Sequence, residues 1–496
     1  MAKELQKLSD CKIYAVATVD ENAKKFLETQ TLVNFEKIWY FPDHIFDKDK
    51  LPTIDYLEKI EKKYQINLWK IASSDRRFYP EFNKFHKFTK NEILLLLEQG
   101  CKFFDSIVEE VTPDFLMLKG SYAYNDVLLY EMCKSKKIRI LTLYTTRVGY
   151  RYIISEKVDM MDEISNKIHY ENNFSTFEEL QEYLSKFNMF RIVNEMQTEY
   201  KIPKKARIKA LIKFLFFNTN FENQYVNYGK TKWRVLARGT ARSHHWKKRK
   251  NENFLNKNSI RNIGDQSNYV FYPLHMEPER SLMVNSPYFP DQIEVIRKIA
   301  KSVPMGYKIL VKDHPIMKLV GWRPKDFYKE ILDIPNAVLV HPSITPEEIY
   351  KKCSLVITIN GTSALEANIF GKPSIIFGDV DFKEIPSIIK LDNITELPLL
   401  IRRALDTTVN PKEVGIYLTK LEKNSFQLDL EGMTRDFLSR FYYPGYLETP
   451  RYPAKKMKKY FEDYKETFKV ITHEHIKKME QHKQKNESEY QNPAMN

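Results

Sequence analysis

The chain is poor in cysteine, and its few thiols are far apart. Its 496 residues contain four cysteines, Cys11, Cys101, Cys133 and Cys353, with no C-x-x-C spacing. This pattern argues against a disulfide framework, and each cysteine lies in or beside an apolar stretch, as reduced and packed thiols do. Because reduced thiols persist in the cytoplasm, we expect a cytoplasmic protein that is stabilised by packing.

Long hydrophobic runs are also absent. The first ten residues, MAKELQKLSD, contain no apolar core of a signal peptide, and the most apolar runs, residues 93–97 and 214–217, are short. A helix that spans a bilayer needs about 20 predominantly apolar residues. The sequence therefore predicts neither a signal peptide nor a membrane span, and any membrane association is expected to be peripheral, at the inner face.

Acidic residues are too few to balance the basic ones, so the formal net charge is +14. An excess of this size fits nucleic acid, an anionic membrane surface or a polyanionic substrate. Much of it lies in residues 201–250 and 455–485, away from the site motifs described below, and no recognised nucleic-acid motif occurs. We therefore expect no specific nucleic-acid partner, and we assign the charge to location and the motifs to chemistry.

One basic stretch has the pattern of an amphipathic helix. Apolar residues recur there at helical spacing and lysines occupy the other face: Ile208, Leu211, Ile212, Leu215 and Phe216 against Lys205, Lys209 and Lys213. Two interpretations stay open. The helix is either a solvated element packed on the domains through its apolar stripe, or a membrane-surface patch for an anionic or lipid-linked acceptor.

The length predicts two lobes, because single hydrophobic cores stop growing at about 250–300 residues. Residues 1–155 alternate between β-rich and helical stretches, residues 156–262 read as a helical basic bridge, and the alternation returns over residues 263–410. Residues 411–496 read as a helical extension whose tail is disordered after Glu480. The fold class that follows is α/β, with two Rossmann-type lobes facing a cleft.

Strands are expected wherever short β-rich runs alternate with helical patterns. In the first lobe these are residues 12–18, 37–41, 67–72, 115–118 and 138–144, and in the second lobe residues 269–273, 308–312, 337–340, 355–359 and 374–377.

The first motif is Lys312-Asp313-His314-Pro315, at the expected carboxyl end of a strand. Ligands bind at that end of open α/β sheets. Pro315 ends the strand and fixes the loop, so His314 is held at the mouth of the crevice. A single histidine at a strand end is more often structural, but the lysine before it and the proline after it favour a phosphate contact.

The second motif runs from a strand into a helix, as Asn360-Gly361-Thr362-Ser363 and on to Glu366. Gly361 permits a tight turn, Thr362 or Ser363 is placed to cap the helix, and the exposed amides at a helix start favour an anion. Glu366, one turn further, is within reach of ribose hydroxyls beside a bound phosphate. The alternative is an ordinary cap followed by a solvated glutamate.

The third motif contains His275, Glu277 and Glu279 in the segment YPLHMEPE, at the end of the first strand of the second lobe. A loop in this position faces the cleft between two lobes. Its side chains are suited to binding sugar hydroxyls or to acid–base catalysis, with Glu279 as a candidate catalytic carboxylate. Their spacing fits equally well with capping the helix that begins near Tyr288.

Candidates in the first lobe are weaker. Asp75 follows the predicted strand 67–72 and is the better candidate for a catalytic carboxylate there, with Asp126 behind it. Arg76 and Arg147 are candidates for contact with an acidic acceptor. The alternative for Asp75 is an ordinary salt bridge within a loop.

Together the segments YPLHMEPE, VKDHP and NGTSALEANIFGKPSIIFG, within residues 268–381, resemble the C-terminal lobe of capsule polysaccharide biosynthesis glycosyltransferases. That group includes bacterial Kdo transferases and is similar to GT-B enzymes with a His-Pro motif. The resemblance implies a donor nucleotide sugar bound by the second lobe, with His314 near the phosphate, Thr362 and Ser363 on its oxygens, and Glu366 on the ribose. It also implies a capsule, surface polysaccharide or lipid-linked glycan as acceptor.

The resemblance implies that no metal or other cofactor is needed for donor binding. The sequence agrees, because it shows no Asp-x-Asp pair placed as a metal site and no His/Cys cluster at ligand spacing in this lobe. Two alternatives stay open. One is a nucleotide-sugar epimerase or a polyol-phosphate transferase of the same architecture, and the other is a basic nucleic-acid-binding or membrane-binding protein.

Overall fold

The structure is a computed structural model of the chain. It describes residues 1–45, 50–80, 82–83, 85–120, 123–162, 170, 173–186, 204–217, 231, 241–264, 268–320, 322–441 and 450–491, and the structural statements below concern these residues.

The strands, in chain order, are β1 Tyr14–Ala17, β2 Lys37–Tyr40, β3 Phe115–Lys119, β4 Arg139–Thr145, β5 Arg151–Ser155, β6 Tyr269–Pro273, β7 Lys308–Lys312, β8 Ala337–Val340, β9 Leu355–Thr358, β10 Ser374–Ile376, β11 Ile388–Lys390 and β12 Phe426–Gln427. The helices of the first half are α1 Ala2–Leu8, α2 Glu21–Thr29, α3 Ile54–Tyr64, α4 Leu68–Ser73, α5 Lys90–Val111, α6 Tyr124–Ser135, α7 Phe177–Ser185, α8 Lys204–Phe217 and α9 Ala241–Asn258. Those of the second half are α10 Arg280–Met283, α11 Gln292–Ala300, α12 Met317–Val320, α13 Lys325–Leu332, α14 Pro346–Lys352, α15 Ser363–Ile369, α16 Leu397–Leu405, α17 Pro411–Lys423, α18 Leu430–Phe441, α19 Ala454–Asp463 and α20 Lys465–Gln491.

The second lobe is built on a six-stranded sheet with the order β11-β10-β9-β6-β7-β8. Its strand pairs are all parallel. The chain runs outward from β6 through β7 to β8 and then crosses back to β9, so the strand order reverses between β6 and β9. A crevice opens at such a switch point, at the carboxyl ends of the strands, and this is where open α/β sheets bind ligands.

Helices cover both faces of this sheet, which explains the nearly continuous apolar sequence of its strands. Val270, Ile309, Leu310 and Val356 are completely buried. The strand ends, in contrast, place polar side chains at the crevice. The sheet therefore provides a rigid base from which the site residues project.

The first lobe contains a smaller and less regular set of strands. Strands β1 and β2 form a parallel pair, and a separate four-stranded sheet has the order β12-β5-β4-β3. Within the latter, β3 and β4 are parallel, while β5 and β12 are antiparallel to their neighbours. The carboxyl ends of the parallel strands β3 and β4 therefore lie at one edge of this sheet.

The C-terminal segment returns to the first lobe. Strand β12 pairs with β5 through Phe426 and Tyr152. Further on, Phe441 and Met457 belong to a hydrophobic cluster against which Phe26 of the first lobe packs. The segment predicted as a C-terminal extension thus adds a strand and helices to the first lobe, after α17 has packed against the second lobe.

Two sequence-based predictions are corrected here. The predicted strand 67–72 is helix α4, because the Asn67 side chain accepts a hydrogen bond of 2.7 Å from the backbone N–H of Lys70 and so caps a helix. The buried residues of α4, Leu68, Ile71 and Ala72, have helical spacing. The tail predicted to be disordered after Glu480 continues as helix α20 to Gln491.

The α/β fold class with two Rossmann-like lobes is confirmed, together with helical sequence between the lobes and at the C-terminus. Several direct contacts join the lobes, and two of them lie close to the strand ends. The Tyr144 hydroxyl of β4 donates a hydrogen bond of 2.8 Å to Asp381, which follows β10. Arg280, in the second lobe, forms an ion pair with Asp159, which follows β5.

Candidate functional site

The candidate site lies where three neighbouring strands of the second lobe end. Strands β9, β6 and β7 are adjacent in the sheet. Their carboxyl ends carry the turn at Gly361, the loop at His275 and the loop at Lys312. Residues that are far apart in sequence, in all three predicted motifs, therefore meet at the switch-point crevice.

His275 lies at the centre of this group and is buried. Its Nε2 atom is 3.1 Å from the Thr358 hydroxyl oxygen and accepts a hydrogen bond of 3.4 Å from the backbone N–H of Asn360. Its Nδ1 atom lies 3.5 Å from a carboxylate oxygen of Glu279. The imidazole thus links the end of β9 to the candidate catalytic carboxylate.

Glu279 is placed to work as an ionised group. The Glu279 side chain is 37% exposed to solvent, so it is open to the cleft. Burial raises its pKa, but the hydrogen bond with His275 and the charge of Arg147 act more strongly, and the pKa is lowered overall. Glu279 is therefore a carboxylate at neutral pH.

Lys312 and His314 bring nitrogen groups to the same crevice. Burial lowers the pKa of Lys312 from its ordinary 10.5 to about 8, although Asp313 acts in the opposite direction. Burial also lowers the pKa of His314, against the charges of Glu279 and Asp313. Pro315 begins the turn that follows, and the backbone N–H of Ile316 donates to the Nδ1 atom of His314 at 3.3 Å. His314 is thereby oriented by its own loop.

Asp313 holds the His314 loop in place through hydrogen bonds. It is buried and accepts hydrogen bonds from the backbone N–H of His314 at 2.8 Å and from the Arg323 guanidinium at 3.1 Å. The Tyr328 hydroxyl donates to its other oxygen. Because charge-assisted bonds in a buried setting are strong, this network fixes the position of the His314 backbone.

Glu277 belongs to the same support. It forms an ion pair with Arg323 and accepts a hydrogen bond from Gln292. Both of its carboxylate oxygens are therefore engaged within the protein. Glu277 is better explained as a group that orients the His275 loop than as the donor contact expected from the sequence.

The turn after β9 is tight. A Cβ atom at Gly361 would lie 2.7 Å from the Thr358 hydroxyl oxygen and 2.8 Å from the Ser363 hydroxyl oxygen, so no larger residue fits without a shift. The Ser363 hydroxyl is buried and has no hydrogen-bond partner within the part of the chain that the structure describes. It is available to a ligand group that enters the turn.

Thr362 does not cap helix α15 with its side chain, contrary to the expectation. Its hydroxyl donates instead to Glu366 at 2.8 Å, and the Tyr350 hydroxyl donates to the other oxygen of Glu366 at 2.8 Å. Glu366 is thus held rigidly beside the turn rather than solvated. Each of its oxygens retains a second lone pair that can accept from a hydroxyl.

Arg147 comes from the first lobe. Its guanidinium donates a hydrogen bond of 2.6 Å to the backbone carbonyl of Asn360. Arg147 was predicted to contact the acceptor, and the structure places it against the turn of the second lobe. Its main visible role is to join the lobes at the site.

Asp75 does not face the cleft as expected. It is completely buried at the end of helix α4, and it accepts hydrogen bonds from the Arg77 guanidinium and from the backbone N–H of Tyr124 at 3.0 Å. Burial raises its pKa, but the charge of Arg77 and these hydrogen bonds outweigh it, so the pKa is lowered. The residue is part of a buried ion pair, while neighbouring Arg76 is exposed.

Sequence reasoning missed the residues that orient the site, chiefly Thr358, Arg323 and Gln292. Each acts through tertiary contacts with the His275 or His314 loops. The one local signal is that Thr358 is a polar residue ending an otherwise apolar strand. The other two carry no sequence pattern that identifies them.

No metal centre or membrane span is found in the described parts of the chain. There, no three or more His, Cys, Asp and Glu side chains are grouped so that they could hold a metal ion. None of the helices there has the length and apolar character that crossing a membrane requires.

A comparison with known families finds one match, over the segment that carries most of the site residues. Residues 152–385 match the family described as capsule polysaccharide biosynthesis protein. This segment contains His275, Lys312, His314 and the turn at Gly361. The match covers a little less than half of the chain, and it agrees with the resemblance that the sequence motifs carry. It supports a glycosyltransferase acting in capsule polysaccharide synthesis.

Solved structures give a weaker likeness, and no curated protein sequence matches the chain. KpsC, a β-Kdo 2,7 transferase of Thermosulfurimonas dismutans, is 13% identical, with 74% of this chain and 91% of that chain covered and a TM-score of 0.31. UDP-GlcNAc 2-epimerase of Methanocaldococcus jannaschii is 13% identical, with 83% and 99% covered and a TM-score of 0.24. The corresponding enzyme of Neisseria meningitidis is 12% identical, with 85% and 94% covered and a TM-score of 0.23. At such TM-scores the likeness carries no conclusion about this chain.

Proposed function

We propose that this glycosyltransferase binds a nucleotide-sugar donor in the crevice of its second lobe and transfers the sugar to a polysaccharide or lipid-linked glycan. The observation that carries the proposal is the convergence of Lys312, His314 and the turn at Gly361 on neighbouring strand ends. In this assignment, Lys312, His314 and the Ser363 hydroxyl contact the phosphate groups, and Glu366 accepts from the ribose. Thr362 holds Glu366 in place.

The electrostatics of the crevice support a phosphate there. Lys312 is 3% exposed, so its positive charge is screened weakly by water. A phosphate that enters the crevice would restore part of the stabilisation that burial has removed from the ammonium group. The same groups would stabilise negative charge as it develops on the departing phosphate, which is the general logic of electrostatic catalysis. We therefore propose that donor binding needs no metal ion.

Glu279 is the proposed general base. It is ionised, partly exposed and oriented by His275, so its carboxylate can accept a proton from an attacking hydroxyl. His275 is a positioning residue in this scheme, because its Nε2 atom is turned towards Thr358 and Asn360. Asp75 has no part in it, since its carboxylate is buried in an ion pair.

An anionic membrane surface is the proposed place of action, on the cytoplasmic side. In helix α8, Ile208, Ile212 and Phe216 are 58%, 48% and 73% exposed. Lys205 and Lys209 of the same helix are also exposed. The exposure of these three apolar side chains supports contact with a membrane interface over packing of the stripe on the domains, and the lysines of the same helix suit an anionic surface.

The nucleotide part of the proposal can be tested by thermal unfolding with CMP, CDP, UDP, GDP and dTDP, each in the presence of EDTA. A ligand that binds only the folded state stabilises it by about 2.7 kcal/mol at a hundredfold excess over its Kd. We expect one of the nucleotides to raise the melting temperature with EDTA present. No shift with any nucleotide would contradict the proposed donor site. Conversion of the donor alone to an isomer would instead identify an epimerase.

A further inference from the structure

The turn between β4 and β5 places Arg147 of the first lobe against the second lobe. The backbone φ of Arg147 is 62°, in the left-handed region that residues with a side chain adopt uncommonly. Hydrogen bonds within the turn hold this conformation. The backbone N–H of Arg147 donates to the Thr145 hydroxyl at 3.3 Å, and the Thr146 hydroxyl donates to the carbonyl of Val148 at 3.0 Å. The Arg147 side chain therefore starts from a fixed position.

The guanidinium of Arg147 uses only part of its hydrogen-bonding capacity. Its Nη1 atom donates at 2.6 Å to the carbonyl of Asn360, the residue directly before Gly361. Within the part of the chain that the structure describes, the guanidinium makes no other hydrogen bond and no ion pair. A guanidinium carries five N–H groups, so most of them have no partner among these residues. Arg147 is half-buried, and these groups are accessible to a ligand.

The carboxylates near Arg147 all have other partners. The charge of Arg147 acts to lower the pKa of Glu279, of Asp159 and of Asp381, so its guanidinium lies near all three. Asp159 pairs with Arg280, Glu279 with His275, and Asp381 with Tyr144. No carboxylate thus neutralises Arg147 by a direct ion pair within the described residues, and its charge is available to an anion.

The anion that fits this position is a phosphate group. The carbonyl that Arg147 contacts belongs to the turn that also carries the Ser363 hydroxyl, which is buried and has no partner among the described residues. A guanidinium presents paired N–H groups that match the oxygens of a phosphate. Arg147 would reach the phosphate from the first lobe, whereas Lys312 and His314 belong to the second.

We infer that Arg147 is a catalytic residue that binds the phosphate group joining nucleotide to sugar in the donor. The inference rests on the proposed function, and it adds a residue of the first lobe to a site otherwise built from the second. Its contact with Asn360 holds one N–H group in place while the others donate to the phosphate.

The proposed reaction gives Arg147 a specific task. The bond between the sugar carbon and the phosphate oxygen breaks, and its electron pair stays on that oxygen. The oxygen of the acceptor hydroxyl forms the new bond to the carbon, and Glu279 accepts the hydroxyl proton. Negative charge grows on the phosphate as the bond lengthens, and a cation that is already in place beside it stabilises that state.

The test separates a phosphate contact from a role in joining the lobes. Arg147→Met removes the charge and the N–H groups but keeps an extended side chain. Tyr144→Phe is the matched control, because it removes another hydrogen bond between the lobes, the one to Asp381, without a change in charge. The ligands are CMP, CDP, UDP, GDP and dTDP, together with cytidine, uridine, guanosine and thymidine. Titration calorimetry measures the nucleotides, and NMR titration measures the nucleosides.

We expect a nucleotide that binds the unmodified protein to bind Arg147→Met at least about tenfold more weakly, and to bind Tyr144→Phe with unchanged affinity. The affinity for the nucleoside should be unchanged in both variants. The loss should persist in 1 M NaCl, where the Debye length is about 3 Å and the field of a distant charge is screened.

Four results would overturn the inference alone: unaltered nucleotide affinity in Arg147→Met, an equal loss for nucleotide and nucleoside, the same loss in Tyr144→Phe, or a loss that disappears in 1 M NaCl. An unmodified protein that binds none of these nucleotides would overturn the proposed function as well.

Discussion

The guanidinium of Arg147 donates a hydrogen bond of 2.6 Å to the backbone carbonyl of Asn360, across the boundary between the two lobes. The N–H of the same residue, Asn360, donates to His275. The carbonyl of Asn360 is thus held by Arg147 of the first lobe, and its N–H is held by His275 of the second lobe. The turn that follows at Gly361 is therefore positioned before a ligand arrives, which reduces the cost of ordering a site on binding.

The first prediction concerns the space at Gly361. The substitution Gly361→Ala adds a Cβ atom closer than 3.0 Å to the hydroxyl oxygens of Thr358 and Ser363, so these hydroxyls or the turn must shift. We expect nucleotide affinity to fall by about tenfold or more, equivalent to about 1.4 kcal/mol, as measured by isothermal titration calorimetry. Gly264→Ala is the matched control, because its nearest neighbour would be the Tyr269 hydroxyl at 3.6 Å. Equal affinities of both variants and the unmodified protein would argue against a ligand in the turn.

The second lobe was largely predictable from the sequence. Strands β6, β7 and β8 have the bounds that were predicted, because each is a short β-rich run between turn residues and both faces of the sheet are covered. The loops proposed to bind phosphate were predictable for a related reason. They follow those strands directly, so the position of His314 depends on local sequence.

The first lobe was less predictable, because its features depend on contacts between distant residues. The run at Leu68 reads as a strand by composition, whereas Asn67 and tertiary packing make it a helix. Nothing near Asp75 indicates that it pairs with the start of α6. The pairing of β12 with β5 joins segments more than 270 residues apart, and neither strand carries a sequence signal for the other.

The second prediction is a pH dependence of nucleotide binding. Lys312 has a pKa of about 8, so it loses its positive charge as the pH rises through that value. If its ammonium group contacts phosphate, nucleotide affinity should fall above about pH 8, while Lys312→Met should bind more weakly at pH 7 and show little further change up to pH 9.5. Titration calorimetry across this range measures both. The same pH profile in the two proteins would assign the dependence to another group.

The third prediction concerns stability at the lobe interface. Burial raises the pKa of Asp381 from 3.8 to about 6, although hydrogen bonds from Met161 and Tyr144 act in the opposite direction. The folded state therefore binds more protons than the unfolded state between these values, and Asp381 should contribute stability at low pH that is lost as the pH rises through about 6. The shift corresponds to at most about 3 kcal/mol.

Urea unfolding at pH 4 and pH 7 measures this contribution. The midpoint of the unmodified protein, relative to that of Asp381→Asn, should decrease between the two values. Asparagine has the same size but does not ionise, so it serves as the internal reference. Parallel changes in the two proteins would show that Asp381 does not titrate between these states.

The fourth prediction concerns the membrane. Reversing Lys205 and Lys209 to glutamate should weaken binding to vesicles that contain anionic lipid, because each lysine near such a surface contributes about 1 kcal/mol. The loss should be larger at low salt, where screening is weaker. Cosedimentation with phosphatidylserine vesicles measures it. Lys455→Glu with Lys459→Glu is the control, since it makes the same charge change at exposed positions of α19. An equal loss in both double variants would show that net charge, and not helix α8, determines binding.

The central claim, that His314 contacts the phosphate of a nucleotide donor, is tested most directly by comparing a nucleotide with its nucleoside. For His314→Ala we expect the affinity for the nucleotide to fall roughly ten- to a hundredfold, since a charge-assisted hydrogen bond contributes about 1.5–3 kcal/mol. The affinity for the nucleoside should be unchanged. Glu366→Ala should weaken both ligands, because it is assigned to the ribose, and His473→Ala, on the exposed surface of α20, should affect neither. A folded His314→Ala protein that binds the nucleotide with unaltered affinity would contradict the account.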